Sequence, residues 1–345
     1  MNNTIILGIE TSCDETSVAV VKNGSEILSN VVSSSIKMHE QTGGIIPEDA
    51  ARQQIRSIIP VVSSALKTAF GNKNPQEKID AIAVTDGPGL IGSLLVGVET
   101  AKTLSFLWNK PLIPVNHLVA HIYANFLESS ENKNSTFPII GLVVSGGHTD
   151  LVLMKNHGKI QLLGSTRDDA AGEVFDKTAR LLGLPYPGGP AISKMADSFL
   201  SQKPLEKLNL FPRPMAGTSD YDWSFSGLKT SVLNYTKKNE KLDVEMLSAQ
   251  IQEAIVDVLV EKTLKAVKDY NPKSLFISGG VAANSRLRNR LVAEIKAKKL
   301  QVILHVPPVN LCTDNAAPIA SAAFYVGSKQ SWKNIKANPN LGITD

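Results

Sequence analysis

The chain has 345 residues, 43% hydrophobic and 20% charged, enough to bury a sizeable core and to build two domains or lobes. A formal charge of +4 and a pI near 8.8 admit an RNA partner without demanding one, and the composition is not that of a disordered chain. Two cysteines, Cys13 and Cys312, exclude a disulfide framework, TIILGI ahead of Glu10 is too short for a signal-peptide core, and no window spans a membrane; the chain reads as cytoplasmic.

Residues 5–28, IILGIETSCDETSVAVVKNGSEIL, alternate apolar runs with small polar turns and predict three strands in a meander. The first turn, Thr11 to Thr16, crowds hydroxyls and the carboxylates of Asp14 and Glu15, suited to a phosphate, a metal or a proton, or to a plain solvated turn. Residues 47–70 carry helical periodicity. Residues 80–104, DAIAVTDGPGLIGSLLVGVETAKTL, predict a buried strand, a Gly/Pro turn and a helix. The next motif is NHLVAH. His117 and His121 stand four apart, one turn of helix on one face, so two imidazoles can share a divalent metal. Leu118 fills the place where an HExxH zinc protease carries its general base, which removes that chemistry. Two half-buried histidines with ordinary hydrogen bonds would show the same spacing.

The second half repeats the plan. PIIGLVVSGGHTDLVLMKNHGKIQL (138–162) matches the first meander, and aligning Lys22-Asn23 with Lys155-Asn156 puts Ser12 on Ser145 and Val18 on Leu151. Its first turn, Val144-Ser145-Gly146-Gly147-His148-Thr149, has two glycines whose backbone N–H groups can nest an anion, although such hairpins also arise for steric reasons. In 168–190, DDAAGEVFDKTARLLGLPYPGGP, Asp176 lies mid-helix before Gly188-Gly189. It suits a ribose hydroxyl or an ion pair with Lys177 or Arg180. Residues 246–270 are helical, and KSLFISGGVAANSRLRNRLVAEI (273–295) is again strand, glycine turn, helix, with Asn284 placed either to cap the helix or to meet a nucleotide. Arg286, Arg288, Arg290, Lys296, Lys298 and Lys299 make a basic stretch able to meet RNA phosphates or to be a solvated face. Last, Thr313 or Asp314 is placed to cap the helix through Ala316–Phe324, with Pro318 in its first turn.

Two βββαβα halves predict the α/β architecture shared by actin, sugar kinases and heat-shock ATPases, in which a ligand lies in a cleft between lobes. The expected lobes are 1–115 with about 310–345, and 116–309. Asp314 then falls where the chain returns to the first lobe, and with His117 and His121 makes a three-point site with open positions, suited to Fe(II) or zinc.

Ten motifs in order, GIETSCDET, GGIIPEDAAR, TDGPGLIGSLLVG, NHLVAH, VVSGGHTDL, GEVFDKTAR, YPGGP, FSGLKT, GGVAANSRLR and LCTDNAA, resemble the tRNA N6-adenosine threonylcarbamoyltransferase family, once labelled O-sialoglycoprotein endopeptidases. The resemblance runs from about residue 5 to residue 330. It implies a transferase that moves a threonylcarbamoyl group from threonylcarbamoyl-adenylate to N6 of adenosine 37 in tRNAs reading codons that begin with A, releasing AMP. It implies one divalent metal, Fe(II) before zinc, on His117, His121 and Asp314. It further implies an adenylate held by Val143, Val144, Ser145, Gly146, Gly147, Asp176, Gly189 and Asn284. The implied partners are a smaller paralogous subunit and an ATPase, besides the synthase that makes the adenylate. Gln54, Ala120, Trp223 and Pro318 depart from the family pattern, which commonly has His, Gly, Phe and Met there. An exocyclic amine is a weak nucleophile, so Asp14 or Glu15 is a candidate base for its proton. A metallopeptidase or an ATP-dependent phosphotransferase of the sugar-kinase type are the competing activities. The first leaves the duplicated cleft unused and the second leaves the histidines unexplained.

Overall fold

Asn23 and Gly24 take φ of 53° and 74°. That left-handed pair reverses the chain tightly between two apolar strands, and it is the second turn of a meander that the chain builds twice. The computed structural model describes residues 3–127, 136–202 and 209–345. The first meander is β1 (Ile5–Glu10), β2 (Glu15–Lys22) and β3 (Glu26–Ser34). It is followed by α1 (Ile36–Thr42), α2 (Pro47–Phe70), β4 (Ala81–Gly87), α3 (Ile91–Trp108), β5 (Leu112–Asn116) and α4 (His117–Tyr123). The second meander is β6 (Ile139–Val144), β7 (Thr149–Asn156) and β8 (Lys159–Ser165). Four helices follow: α5 (Ala171–Leu181), α6 (Gly188–Gln202), α7 (Ser226–Lys238) and α8 (Val244–Tyr270). The chain closes with β9 (Ser274–Ser278), α9 (Ser285–Ala297), β10 (Ile303–His305), α10 (Val309–Cys312) and α11 (Ala316–Val326).

The two sheets have the same order, β3-β2-β1-β4-β5 and β8-β7-β6-β9-β10. Their ladders agree residue by residue. Ile6 pairs with Val21 on one side and Ala81 on the other, while Ile139 pairs with Met154 and Ser274. The hairpin partners are thus each 133 residues on, the shift that aligns Lys22 with Lys155. This is the duplicated α/β plan expected from the sequence. Contacts divide the chain into one unit of Met1–Ser135, Asn156–Ile160 and Pro307–Asp345, and a second of Thr136–Lys155 and Gln161–Val306. Here α4 goes with the first unit, because it follows β5 directly and packs on α11, whereas a division at 116 would have placed it with the second. No described helix is long and apolar enough to cross a membrane.

In the first sheet the side chains of β1 alternate between two covers. Leu7 and Ile9 are buried in a cluster with Ile58, Val61 and Ala65 of α2 and Val98 and Ala101 of α3. Gly8 faces the other way, onto α11, so closely that a Cβ there would stand 2.5 Å from the carbonyl oxygen of Ala316. Helix α11 can lie that close because its inner face is mostly alanine. Ala316 is two residues past Asp314, so this contact fixes where Asp314 enters the unit. A methyl at Gly8 must push α11 outward. Gly8→Ala should cost about 1–3 kcal/mol, as overpacking does, read as a lower urea midpoint at unchanged slope.

Candidate functional site

Helix α4 starts where Asn116 accepts the N–H groups of Leu118 and Val119, at 2.9 and 3.3 Å. His117 and His121 therefore project from one face, both buried, with ring centroids 4.5 Å apart. Helix α11 is capped by Asn315, whose Oδ1 takes the Ala317 N–H at 3.3 Å, and not by Thr313 or Asp314 as the sequence suggested. Asn315 is held in turn by Asn30 Nδ2 at 3.1 Å. That division of work leaves the Asp314 carboxylate to face the histidines. Its Oδ1 is 3.7 Å from His117 Nε2 and 3.5 Å from His121 Nε2. Ligand atoms at about 2.1 Å from one ion stand roughly 3–3.5 Å apart, and the three here lie within 4.8 Å of one another, so the group would draw in around an ion. The three groups fit a divalent metal such as Fe(II) or zinc in donor type.

Behind His117 lies Glu10, the last residue of β1 and 1% exposed. Its carboxylate accepts from Ser12 N–H at 2.5 Å, from the Thr85 hydroxyl at 2.6 Å and from His117 Nδ1 at 3.0 Å. Burial opposes the charge on each partner, yet attraction wins. Glu10 is held down at about 2, and His117, with Asp314 adding to the attraction, is raised to about 9. For Asp314, burial dominates, and with the charges of Glu10 and Asp14 it outweighs the pull of His117, lifting the group to about 6. Glu10 and Thr85 were not singled out in the sequence, where one is merely the acid that ends an apolar strand.

The loop carrying Asp14 and Glu15 is pinned from α2. Gln54, fully buried, sends its side-chain amide toward the carbonyls of Thr11, Cys13 and Glu15, at 3.3, 3.1 and 2.9 Å. Ser93 adds a hydroxyl bond to Cys13 O and Ser35 one to Asp14 O. Gln54 stands out in the sequence only as a departure from the family's histidine. Burial, the charge of Asp14, a hydrogen bond with it and the charge of Asp314 raise Glu15 to about 9, against the Ser34 hydroxyl. Glu15 thus keeps a proton at neutral pH. Burial and the surrounding acids push the Cys13 thiol well up as well, so it does not offer a thiolate.

The second unit gathers most of the other predicted residues. Val143 and Val144 end β6, and the turn beyond closes by Ser145 N–H to His148 O at 2.9 Å. A Cβ on Gly279, whose φ is 88°, would lie 2.3 Å from Val144 O, and one on Gly172 would lie 2.4 Å from Ser145 O. Glycines therefore let the β9 turn and the start of α5 press against this turn. Among the described residues, no atom lies within 4 Å of the position a Cβ would take on Gly146, Gly147 or Gly280. Asp176 accepts the Gly188 N–H at 2.7 Å, and Gly189 N–H also supports its charge, so it caps α6; Lys177 bonds Asp169 and Glu173 instead. Asn284 caps α9 through Leu287 N–H at 2.9 Å, and its Nδ2 reaches Ser193 of α6 and Gln252 of α8, both at 2.9 Å. Asp176, Gly189 and Asn284 thus meet around the first turns of α6. The basic stretch is largely spent internally: Arg286 and Arg290 both bind Glu253, Arg288 bonds Ala282 O and Lys298 bonds Glu294.

The family model of tRNA N6-adenosine threonylcarbamoyltransferase matches residues 26–321. A Bacillus thuringiensis protein of that name is 50% identical over 347 residues, covering 99% of this chain and 97% of its own. A Listeria monocytogenes one is 48% identical over 349 residues, covering 99% and 98%. Among solved structures, HypF of T. kodakarensis aligns with a TM-score of 0.59 at 15% identity, over 93% of this chain and 47% of its own. Component A of the Acidaminococcus fermentans (R)-2-hydroxyglutaryl-CoA dehydratase aligns with a TM-score of 0.52 at 16% identity, over 93% and 98%. These two likenesses show the shared fold.

With His117 raised to about 9, the metal-free protein carries a proton on that ring at neutral pH, and an incoming ion must displace it. Zinc affinity should therefore fall as pH drops below about 9. Calorimetry at pH 7 in buffers of different ionisation enthalpy should show about one proton released per ion, declining above pH 9. Asp314→Asn should weaken zinc binding by more than the roughly 10–100-fold that losing a supporting partner costs.

Proposed function

The chain belongs to the tRNA N6-adenosine threonylcarbamoyltransferase family, and we propose that it transfers a threonylcarbamoyl group from threonylcarbamoyl-adenylate to N6 of adenosine 37 in tRNA, using a metal held by His117, His121 and Asp314. In the reaction the adenine nitrogen attacks the carbamoyl carbon, an N–C bond forms, the C–O bond to the phosphate breaks, AMP leaves and N6 gives up a proton. The observation that carries the reading is the convergence of two imidazoles and one carboxylate from segments nearly 200 residues apart, in a chain half identical to named transferases. A bound ion would supply Lewis acidity toward the carbonyl or the departing phosphate. Fe(II) is the first choice and zinc the second.

The protein's own part is to place the donor and to take the proton. Gly146 and Gly147 offer backbone where no side chain intrudes, suited to the phosphate. The turn from Val143 to Gly147 and the junction of Asp176, Gly189 and Asn284 would then receive the adenylate. Asp176 and Asn284 already spend bonds on caps, so they act as much by shaping α6 and α9 as by direct contact. Of the two loop acids, Glu15 already accepts the Ser34 hydroxyl at 2.9 Å, which leaves Asp14 as the group to accept a proton from N6. A smaller paralogous subunit and an ATPase complete the cycle in the cytoplasm. The exposed Ile55 and Ile59 of α2 and Ile91 and Leu95 of α3 offer apolar surface suited to the paralogue.

Preformed threonylcarbamoyl-adenylate, an unmodified tRNA transcript, metal and the partner subunits should together give modified tRNA and AMP in equal amounts. No product under those conditions rules the reading out. Asp14→Asn should lower single-turnover transfer by about 100-fold or more, and Glu15→Gln should lower it far less. Full transfer by Asp14→Asn would remove the base assignment.

A further inference from the structure

We propose that Glu10 is a positioning residue that holds His117 in the one tautomer able to bind the metal, with Ser12 N–H and the Thr85 hydroxyl holding Glu10 in turn. The inference rests on the reading of His117, His121 and Asp314 as metal ligands. A neutral imidazole has one N–H and one lone pair. Here Nδ1 is 3.0 Å from Glu10 Oε2, a carboxylate oxygen that can only accept, and 3.2 Å from the Ser12 hydroxyl, which can also accept, so Nδ1 carries the hydrogen. The lone pair is then left on Nε2, the atom that faces Asp314. Without that acceptor the ring is free to hold its hydrogen on Nε2 and close the site.

The register of the sheet places this support. Gly8 and Glu10 share the face of β1 that α11 covers, and one step beyond the Ile9–Val84 pair Thr85 stands beside Glu10 on β4. The Thr85 hydroxyl reaches Oε2 at 2.6 Å, and the Ser12 N–H reaches Oε1 at 2.5 Å. Both oxygens are therefore required as acceptors. A glutamine of the same shape cannot satisfy all three donors. With its NH2 toward Ser12, two donors meet. With its NH2 toward His117, the imidazole must offer a lone pair from Nδ1, and Nε2 takes the hydrogen. Either way the isosteric change breaks the arrangement while conserving volume.

The test is zinc affinity, measured on the full chain by competition with a chromophoric chelator, together with the 15N shifts of His117 in the zinc-loaded protein. Glu10→Gln should bind zinc about 10–100-fold more weakly than the wild type, with circular dichroism showing an intact fold. Thr85→Val, which removes one anchor of Glu10 and keeps the His117 contact, should lose several-fold. Wild-type shifts should report hydrogen on Nδ1 and metal on Nε2. A folded Glu10→Gln protein that binds zinc within twofold of wild type, with the same shifts, overturns the inference. Should Glu10→Gln fail to fold, Thr85→Val decides, and unchanged affinity there overturns it equally. Failure of the wild type itself to bind zinc or Fe(II) would instead remove the metal reading, and this inference with it.

Discussion

A carboxylate taken out of water must collect its hydrogen bonds from the protein, and Glu10 collects them from Ser12, Thr85 and His117. Each donor belongs to a different piece of the first unit: the loop after β1, the neighbouring strand β4 and the start of α4. Removing one partner of a buried ion pair typically costs about 3–5 kcal/mol, because the other charge is left uncompensated. The loop, the strand and the helix are thereby made to agree on one geometry. The pair between Glu10 and His117 also keeps the imidazole aimed at Asp314, so the polar network that the fold must satisfy is the one that a metal would use.

Small residues supply the other half of the constraint. Gly8 lets α11 approach β1 to near contact, and the alanine-rich inner face of α11 accepts that approach. Because Asp314 lies just ahead of that helix, its reach toward α4 is set by backbone packing and not by side-chain flexibility. Gln54 does similar work for the loop acids, drawing three carbonyls of residues 11–15 toward one amide. A histidine, with a single N–H on the ring nitrogen facing the loop, would gather fewer of them. The loop is held by its backbone, so its shape does not depend on the carboxylates of Asp14 and Glu15.

How much of this could be read from the sequence depended on whether the signal was periodic or local. The two meanders and the strand–turn–helix units announced themselves, because a two-residue alternation and a helical repeat are each written along many residues. The pair His117 and His121 was visible for the same reason. Glu10 was not, since an acid ending an apolar strand is commonplace; only the register that sets it beside Thr85 and behind His117 gives it a role. In Thr313-Asp314-Asn315 every residue is able to cap a helix, and the choice of Asn315 hangs on Asn30, far away in sequence. Asp176 and Asn284 drew two readings each, and the structure gives both residues cap bonds without excluding a ligand beside them.

The duplication itself explains why the two hairpin turns suit different ions. In the shared register, Glu10 of the first unit corresponds to Val143 of the second, and Ser12 to Ser145. The first turn thus sits above the buried Glu10–His117 pair and carries two acids, Asp14 and Glu15, the second held protonated. The second turn has Val143 in place of the buried acid, and Gly147 and His148 in place of Asp14 and Glu15, while Asp150 stands opposite Val143 across the ladder. Several exchanges within one register, glutamate for valine at the strand end and acids for glycine and histidine in the turn, give the two hairpins different chemistry. The two halves could keep one fold and still diverge at these positions.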